Sequence, residues 1–171
     1  IGGAPMAIVD GEEPPLSISM TDRAGWAACL TLSSATAVGI DLEVVEPRTP
    51  AFVRDYFTPA EQQLVADAQT EEQVQVLANL IWSAKESALK VLRVEVTFDG
   101  QQPSEGWLPV TIRAVEGRAF PGWWRRFGAF LLSVAAEEPL PAPRALIDPA
   151  ALQTATPVHS WMAAPRPPVD G

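Results

Sequence analysis

Trp82-Ser83-Ala84-Lys85-Glu86-Ser87-Ala88-Leu89-Lys90, read together with the upstream run Val38-Gly39-Ile40-Asp41-Leu42-Glu43, decides the fold of this chain. In the later stretch Trp82, Glu86, Leu89, Lys90 and Arg93 recur at steps of three and four, the signature of one helical face. The earlier run alternates, so in a strand Val38, Ile40 and Leu42 take one side and Asp41 and Glu43 the other. Carboxylates at i and i+2 of a strand start about 7 Å apart at the backbone. A helix packed across that side would bring Glu86 towards Asp41 and Glu43, and Lys90 towards any anion the three acids help to hold. Spacing alone leans to a blander reading, with Asp41 and Glu43 on a solvated strand face and Glu86 on a helix surface. Lys90 and Lys85 then make only i, i+4-type pairs, worth about 0.2–0.5 kcal/mol, and Trp82 is a core residue.

The stop and start signals around these stretches place the other elements. Segments 16–20, 25–32 and 37–43 read as strands, the first two around a polar turn Thr21-Asp22-Arg23-Ala24. Pro47 and Pro50 interrupt the chain before a short helix over 51–56. Thr58-Pro59-Ala60-Glu61 has a capping Thr, a Pro at the first helical position and a Glu three residues on, which predicts a helix to about Ala68. Thr70-Glu71-Glu72-Gln73 repeats the capping pattern and opens a long helix over 71–93. Segments 107–115 and 127–136 read as two more strands. The expected class is α+β: one antiparallel sheet packed against the 71–93 helix, with Leu77, Ile81, Trp82, Leu89, Leu92, Ile40, Leu42, Cys29, Leu131 and Val134 in or beside the core. Residues 1–15 read as a linker or the remnant of a preceding half, 16–136 as the domain, and 137–171 as a Pro-rich tail, extended or strapped over the body.

Composition narrows the function. The 171 residues carry a net charge of −9, with 13 Asp and Glu against 4 Lys and Arg in residues 1–89 but 6 acids against 7 bases in 90–144. Such an acidic protein is a poor general nucleic-acid binder. An acidic half beside a balanced one suits cation binding and an acidic partner. No apolar run approaches the ~20 residues that span a bilayer, and a single Cys excludes an internal disulfide framework, pointing to a reducing, cytoplasmic setting. One Cys and one His cannot build a zinc cage. His159, alone and in the tail, makes a Ser-His-Asp mechanism a poor candidate. Glycine-rich phosphate loops are absent, so phosphate chemistry would rest on a hard cation and lysine. Magnesium takes one or two carboxylates plus substrate phosphates, and Asp41, Glu43 and Glu86 match that supply. Gly122-Trp123-Trp124-Arg125-Arg126-Phe127 reads equally as an interaction patch or as a strand entry with buried rings.

Gly39-Ile40-Asp41-Leu42-Glu43 and Trp82-Ser83-Ala84-Lys85-Glu86-Ser87-Ala88-Leu89-Lys90 resemble the paired signature of the 4′-phosphopantetheinyl transferases, over roughly residues 14–136, and Phe57-Thr58-Pro59-Ala60-Glu61 also looks familial. The resemblance implies transfer of the phosphopantetheine arm of coenzyme A to a serine of an acyl or peptidyl carrier protein, with release of 3′,5′-ADP. It implies Mg²⁺ held by Asp41, Glu43 and Glu86, with Glu86 as the base. Lys85 and Lys90 would neutralise the phosphate, and Ser19 would contact coenzyme A. Where longer family members place a Ser-His element this chain reads Ser19-Met20, and Met20 cannot make that histidine's phosphate contact. The longer type is a pseudo-dimer and the short type a trimer, so a pseudo-oligomer or homotrimer is expected. Opening at Ile1, the chain reads as a piece of a longer protein, such as an iterative polyketide synthase of the enediyne kind. The rival expectation is a non-catalytic docking or scaffolding domain of a megasynthase that keeps the fold. A metal-dependent phosphodiesterase would need more His and Asp than the chain offers.

Overall fold

A computed structural model describes residues 7–88, 94–97, 106–114, 117–146 and 148–158. Two strands open it, β1 (Ser17–Arg23) and β2 (Trp26–Leu32), followed by β3 (Val38–Val44). Three helices come next: α1 (Pro50–Tyr56), α2 (Pro59–Ala66) and α3 (Glu71–Ser87). Strands β4 (Val94–Thr97), β5 (Leu108–Ala114), β6 (Ala119–Phe127) and β7 (Phe130–Ala136) then lead to the one-turn helix α4 (Ala150–Gln153). The α+β class holds. The single sheet expected from the sequence does not, because β1 and β2 pair only with each other, while the five others order as β3-β7-β6-β5-β4, all neighbours antiparallel.

The reason lies at the free edge of β3. There the Ile40 and Leu42 N–H groups donate to the hydroxyls of Ser19 (3.1 Å) and Thr21 (3.2 Å). Two side chains at i and i+2 of β1 thus satisfy backbone donors that a paired strand would otherwise take. The hairpin turn is also tighter than the sequence reading placed it. Ala24 (φ 51) and Gly25 (φ 86) both adopt the left-handed conformation, as a two-residue hairpin turn requires. This extends β1 to Arg23, on the same side as Ser19 and Thr21.

The helix caps follow the sequence signals. Thr49 accepts from the Phe52 N–H, and Thr58 and Glu61 complete a full capping box. Thr70 caps α3 by accepting from Gln73 N, but the Gln73 side chain bonds Gln69 N instead of closing the box. Helix α3 runs to Ser87, with Ala88 as its cap; its expected continuation to Arg93, including Leu89, Lys90 and Leu92, lies outside the described residues.

The five-stranded sheet is covered on both faces. On one, α2 and α3 enclose Phe57, Val65, Ala78, Ile81, Val110, Ile112 and Phe120. On the other, Ile40, Leu42, Val44, Phe127, Phe130, Leu132 and Val134 pack beneath Trp26, Ala28 and Leu30 of the hairpin and Ala142, Leu152 and Ala155 of the tail. Burial on both sides explains why every residue of β7 is buried. Cys29, expected in the core, is exposed, because it lies on the outward face of β2. The Gly122–Phe127 stretch lies within β6, where Trp123 and Trp124, both partly buried, pack on opposite faces of the sheet. Among the described residues, no helix is long and apolar enough to cross a membrane.

Candidate active site

Helix α3 crosses the Gly39, Asp41 and Glu43 side of β3, and each contact names a pair. Trp82 Nε1 donates to Glu43 Oε1 (3.1 Å), and Ser83 Oγ donates to the main-chain oxygen of Asp41 (3.3 Å) and meets Ser133 Oγ at 2.7 Å. At Gly39 a Cβ would overlap the Ser87 carbonyl oxygen, so glycine is what lets the last turn of α3 reach the strand. Small side chains along Ser83, Ala84 and Ser87, all buried, bring the helix close enough for backbone and side-chain contact. Glu86 sits half-buried in this last turn, four residues on from Trp82 and on the same helical face. The packing anticipated from the two motifs is therefore present.

The carboxylates are used differently from one another. Asp41 and Glu43 are both buried. Glu43 Oε2 accepts from Arg48 Nη2 (3.0 Å) and lies 3.2 Å from Arg23 Nε, while Oε1 takes the Trp82 indole. Arg48 is fixed in turn by Asn79, whose Oδ1 accepts from Arg48 Nε (2.7 Å) and whose amide nitrogen donates to the Glu46 and Gln75 carbonyls. Arg23 also reaches Glu46 (3.2 Å). Among the described residues no three of His, Cys, Asp and Glu gather closely enough to hold a metal ion. Glu43, expected with Asp41 and Glu86 around a cation, is paired with the guanidinium groups of Arg23 and Arg48. Asp41 lies on β3 and Glu86 on the last turn of α3, which packs against that strand.

Lys85, expected at the phosphate, points into the protein. Its ammonium donates to Glu61 Oε2 and to the Tyr56 carbonyl (2.9 Å), over the Phe57 ring. Ser19 is engaged with Ile40 N. Met20, at the place of the longer members' histidine, is 62% exposed and faces outward opposite Cys29. Lys90 lies outside the described residues, as does His159.

Sequence reasoning missed Arg23, Arg48 and Asn79. Arg48 lies in the irregular segment between β3 and α1, where no periodicity fixes direction, and Arg23 was read as part of the turn. It also missed the aromatic group Phe52, Tyr56 and Trp82, with ring centroids 4.8–5.2 Å apart and Arg48 over the Phe52 ring at 4.8 Å.

Residues 37–118 match the family model of the 4′-phosphopantetheinyl transferase superfamily. The match spans both motifs and bears out the resemblance they carry. It supports phosphopantetheine transfer as the general class of reaction. No curated protein matches the chain.

Proposed function

We propose that this chain transfers the 4′-phosphopantetheine arm of coenzyme A to a serine of an acyl or peptidyl carrier protein, in a Mg²⁺-dependent reaction that releases 3′,5′-ADP. The observation that carries this reading is the seating of α3 on β3, with Ser83 Oγ on the Asp41 carbonyl and Gly39 beneath Ser87, inside the segment that matches the transferase superfamily. That seating supports the reading because it brings the strand motif and the helix motif into contact.

In the proposed reaction the serine Oγ attacks the phosphorus bearing the pantetheine arm. The anhydride P–O bond breaks, its electrons leave with 3′,5′-ADP, and the serine proton passes to Glu86 directly or through a water. Mg²⁺, when bound, supplies alignment and charge neutralisation at the pyrophosphate. Asp41 and Glu86 are the side chains proposed to hold it, and Lys90 is proposed to offset phosphate charge. Ser19 and Lys85 are assigned to the scaffold, since both are already engaged within it. The carrier supplies the hydroxyl, so the chain needs no nucleophile of its own. A reducing, cytoplasmic setting goes with this reading and with the exposed, unpaired Cys29.

The test incubates the chain with an apo-carrier protein, coenzyme A and Mg²⁺, and follows the carrier's mass. Gain of the arm only in the presence of Mg²⁺, and its loss in Asp41→Ala and Glu86→Gln, is the expected result. No Mg²⁺-dependent binding of coenzyme A would favour the scaffolding role instead, and wild-type transfer by Glu86→Gln would remove it from the mechanism.

A further inference from the structure

Asn79 of α3 is fully buried, and both polar atoms of its side chain are bonded. Its Oδ1 accepts from Arg48 Nε (2.7 Å), and its amide nitrogen donates to the main-chain oxygens of Glu46 (2.6 Å) and Gln75 (2.8 Å). A flipped amide would set an oxygen against two carbonyls, so this orientation is the one that fits. Arg48 is thereby held on three sides. Asn79 takes its Nε, Glu43 Oε2 takes its Nη2 (3.0 Å), and its Cζ lies 4.8 Å over the centre of the Phe52 ring. A guanidinium is a flat fork with fixed donor directions. With Nε fixed by Asn79 and the group seated on Phe52, Nη2 is aimed at Glu43. The other Glu43 oxygen meets the Trp82 indole (3.1 Å), and Trp82 shares its helical face with Glu86, four residues on.

We propose that Asn79 and Arg48 are positioning residues for the transfer reaction. Together they hold the Glu43 carboxylate in one orientation, and through it the Trp82 face of α3 that carries Glu86. Asn79 does this from one turn before Ser83 of the same helix, while tying down the segment after β3 by the Glu46 carbonyl. Both residues act through Glu43 and Trp82, so their loss shows in rate and not in substrate binding. The inference rests on the transferase reading for the reaction that is positioned, but the Asn79–Arg48–Glu43 relay has a signature of its own.

Asn79→Ala keeps every formal charge and frees Arg48. Arg48→Lys keeps the charge but replaces the fork by a single ammonium, which cannot serve Asn79 and Glu43 in the same fixed directions. Val65→Ala, a buried truncation in α2, is the control for a purely structural loss. Carrier modification by the full chain is measured at steady state, well below every unfolding midpoint. Asn79→Ala and Arg48→Lys are each expected to lower kcat at least about tenfold, towards the ~100-fold that a misplacement of about 1 Å costs, with KM for coenzyme A and carrier unchanged. Val65→Ala should keep the parent kcat at a lower urea midpoint. Asn79 and Glu43 are joined through Arg48, so Asn79→Ala and Glu43→Gln should be non-additive in urea unfolding and additive in an Arg48→Met background. If Asn79→Ala does not fold, Arg48→Lys, with a side chain 13% exposed in the parent, carries the kinetic comparison and the cycle with Glu43→Gln. A parent-like kcat in Asn79→Ala or Arg48→Lys, a loss confined to KM, or an equal fall in kcat for Val65→Ala overturns the proposal. So does additivity of Asn79 and Glu43 in the parent background. A parent chain that modifies no carrier strikes the transferase reading instead, and the unfolding cycle still decides the relay.

Discussion

Glu61 and Lys85 form an ion pair sealed between α2 and α3, with the Glu61 side chain 1% exposed and the Lys85 side chain 12%. Both Glu61 oxygens are filled, Oε2 by Thr58 N and Lys85 Nζ and Oε1 by the Val96 N–H of β4. One carboxylate thereby caps α2, tethers α3 and satisfies a strand donor. Lys85 adjoins Glu86 in the chain, so the pair also fixes the turn that carries the proposed base.

Removing one member leaves an uncompensated buried charge. Glu61→Gln or Lys85→Met is expected to lower unfolding free energy by about 3–5 kcal/mol, the range for breaking a buried pair. The double variant Glu61→Gln/Lys85→Met should recover part of that loss. Urea unfolding of the three proteins checks it, and additive losses would mean that the two residues act separately.

Gly39 offers a cleaner test of how close α3 must lie. Its backbone is not in the left-handed region, so the only objection to a side chain there is the Ser87 carbonyl oxygen that a Cβ would overlap. Gly39→Ala should push the last turn of α3 off β3, destabilise the fold by about 1–3 kcal/mol as overpacking does, and reduce carrier modification. Urea unfolding and the carrier assay check this, and a Gly39→Ala chain with the parent's midpoint and activity would remove the helix–strand approach as a constraint.

The same contact explains what the sequence could tell. Alternation at Val38–Glu43 and the three-and-four spacing at Trp82–Glu86 each specify a face, and the two faces meet as their periods demand. Thr58 and Thr70 announced their helices because capping is local chemistry. Strand β6 was half hidden, since Pro121 and Gly122 both disfavour strands, although Gly122 lies where a Cβ would overlap the Val134 carbonyl oxygen. Arg23 was misplaced because the turn needs Ala24 in a left-handed conformation that non-glycine residues seldom adopt. The engagement of Glu43 was not legible at all: its partners Arg23 and Arg48 come from a strand end and an irregular segment, and no spacing rule links either to residue 43.

Ser83 and Ser133 form the buried polar bridge between α3 and β7, with both residues fully inaccessible to solvent. Ser83→Ala would leave the Ser133 hydroxyl without that bond, at about 1–3 kcal/mol for an unsatisfied buried group. Replacing both serines by alanine should cost less than the sum of the single changes, because no stranded hydroxyl remains. Chemical denaturation of the two singles and the double reads this directly, and strict additivity would argue against the bridge.

The segment after β7 is held to the two hairpin turns. Trp123 Nε1 donates to the Leu140 carbonyl (2.9 Å), the Val158 N–H donates to the Ala24 carbonyl (2.9 Å), and a Cβ on Gly128 would overlap the Gln153 carbonyl oxygen. Leu152 and Ala155 cover the same apolar surface that Trp26 and Leu30 cover from the hairpin side. Gly128→Val therefore meets two penalties, a left-handed backbone at φ 57 that a β-branched residue strongly resists and the collision with Gln153. The variant should release the segment from the β6–β7 turn, so that limited proteolysis cuts within residues 137–158 at protease concentrations that leave the parent chain intact. Trp123 emission should shift to the red as its ring meets water. A cleavage pattern and emission spectrum unchanged by Gly128→Val would mean that the segment is held by its apolar contacts alone.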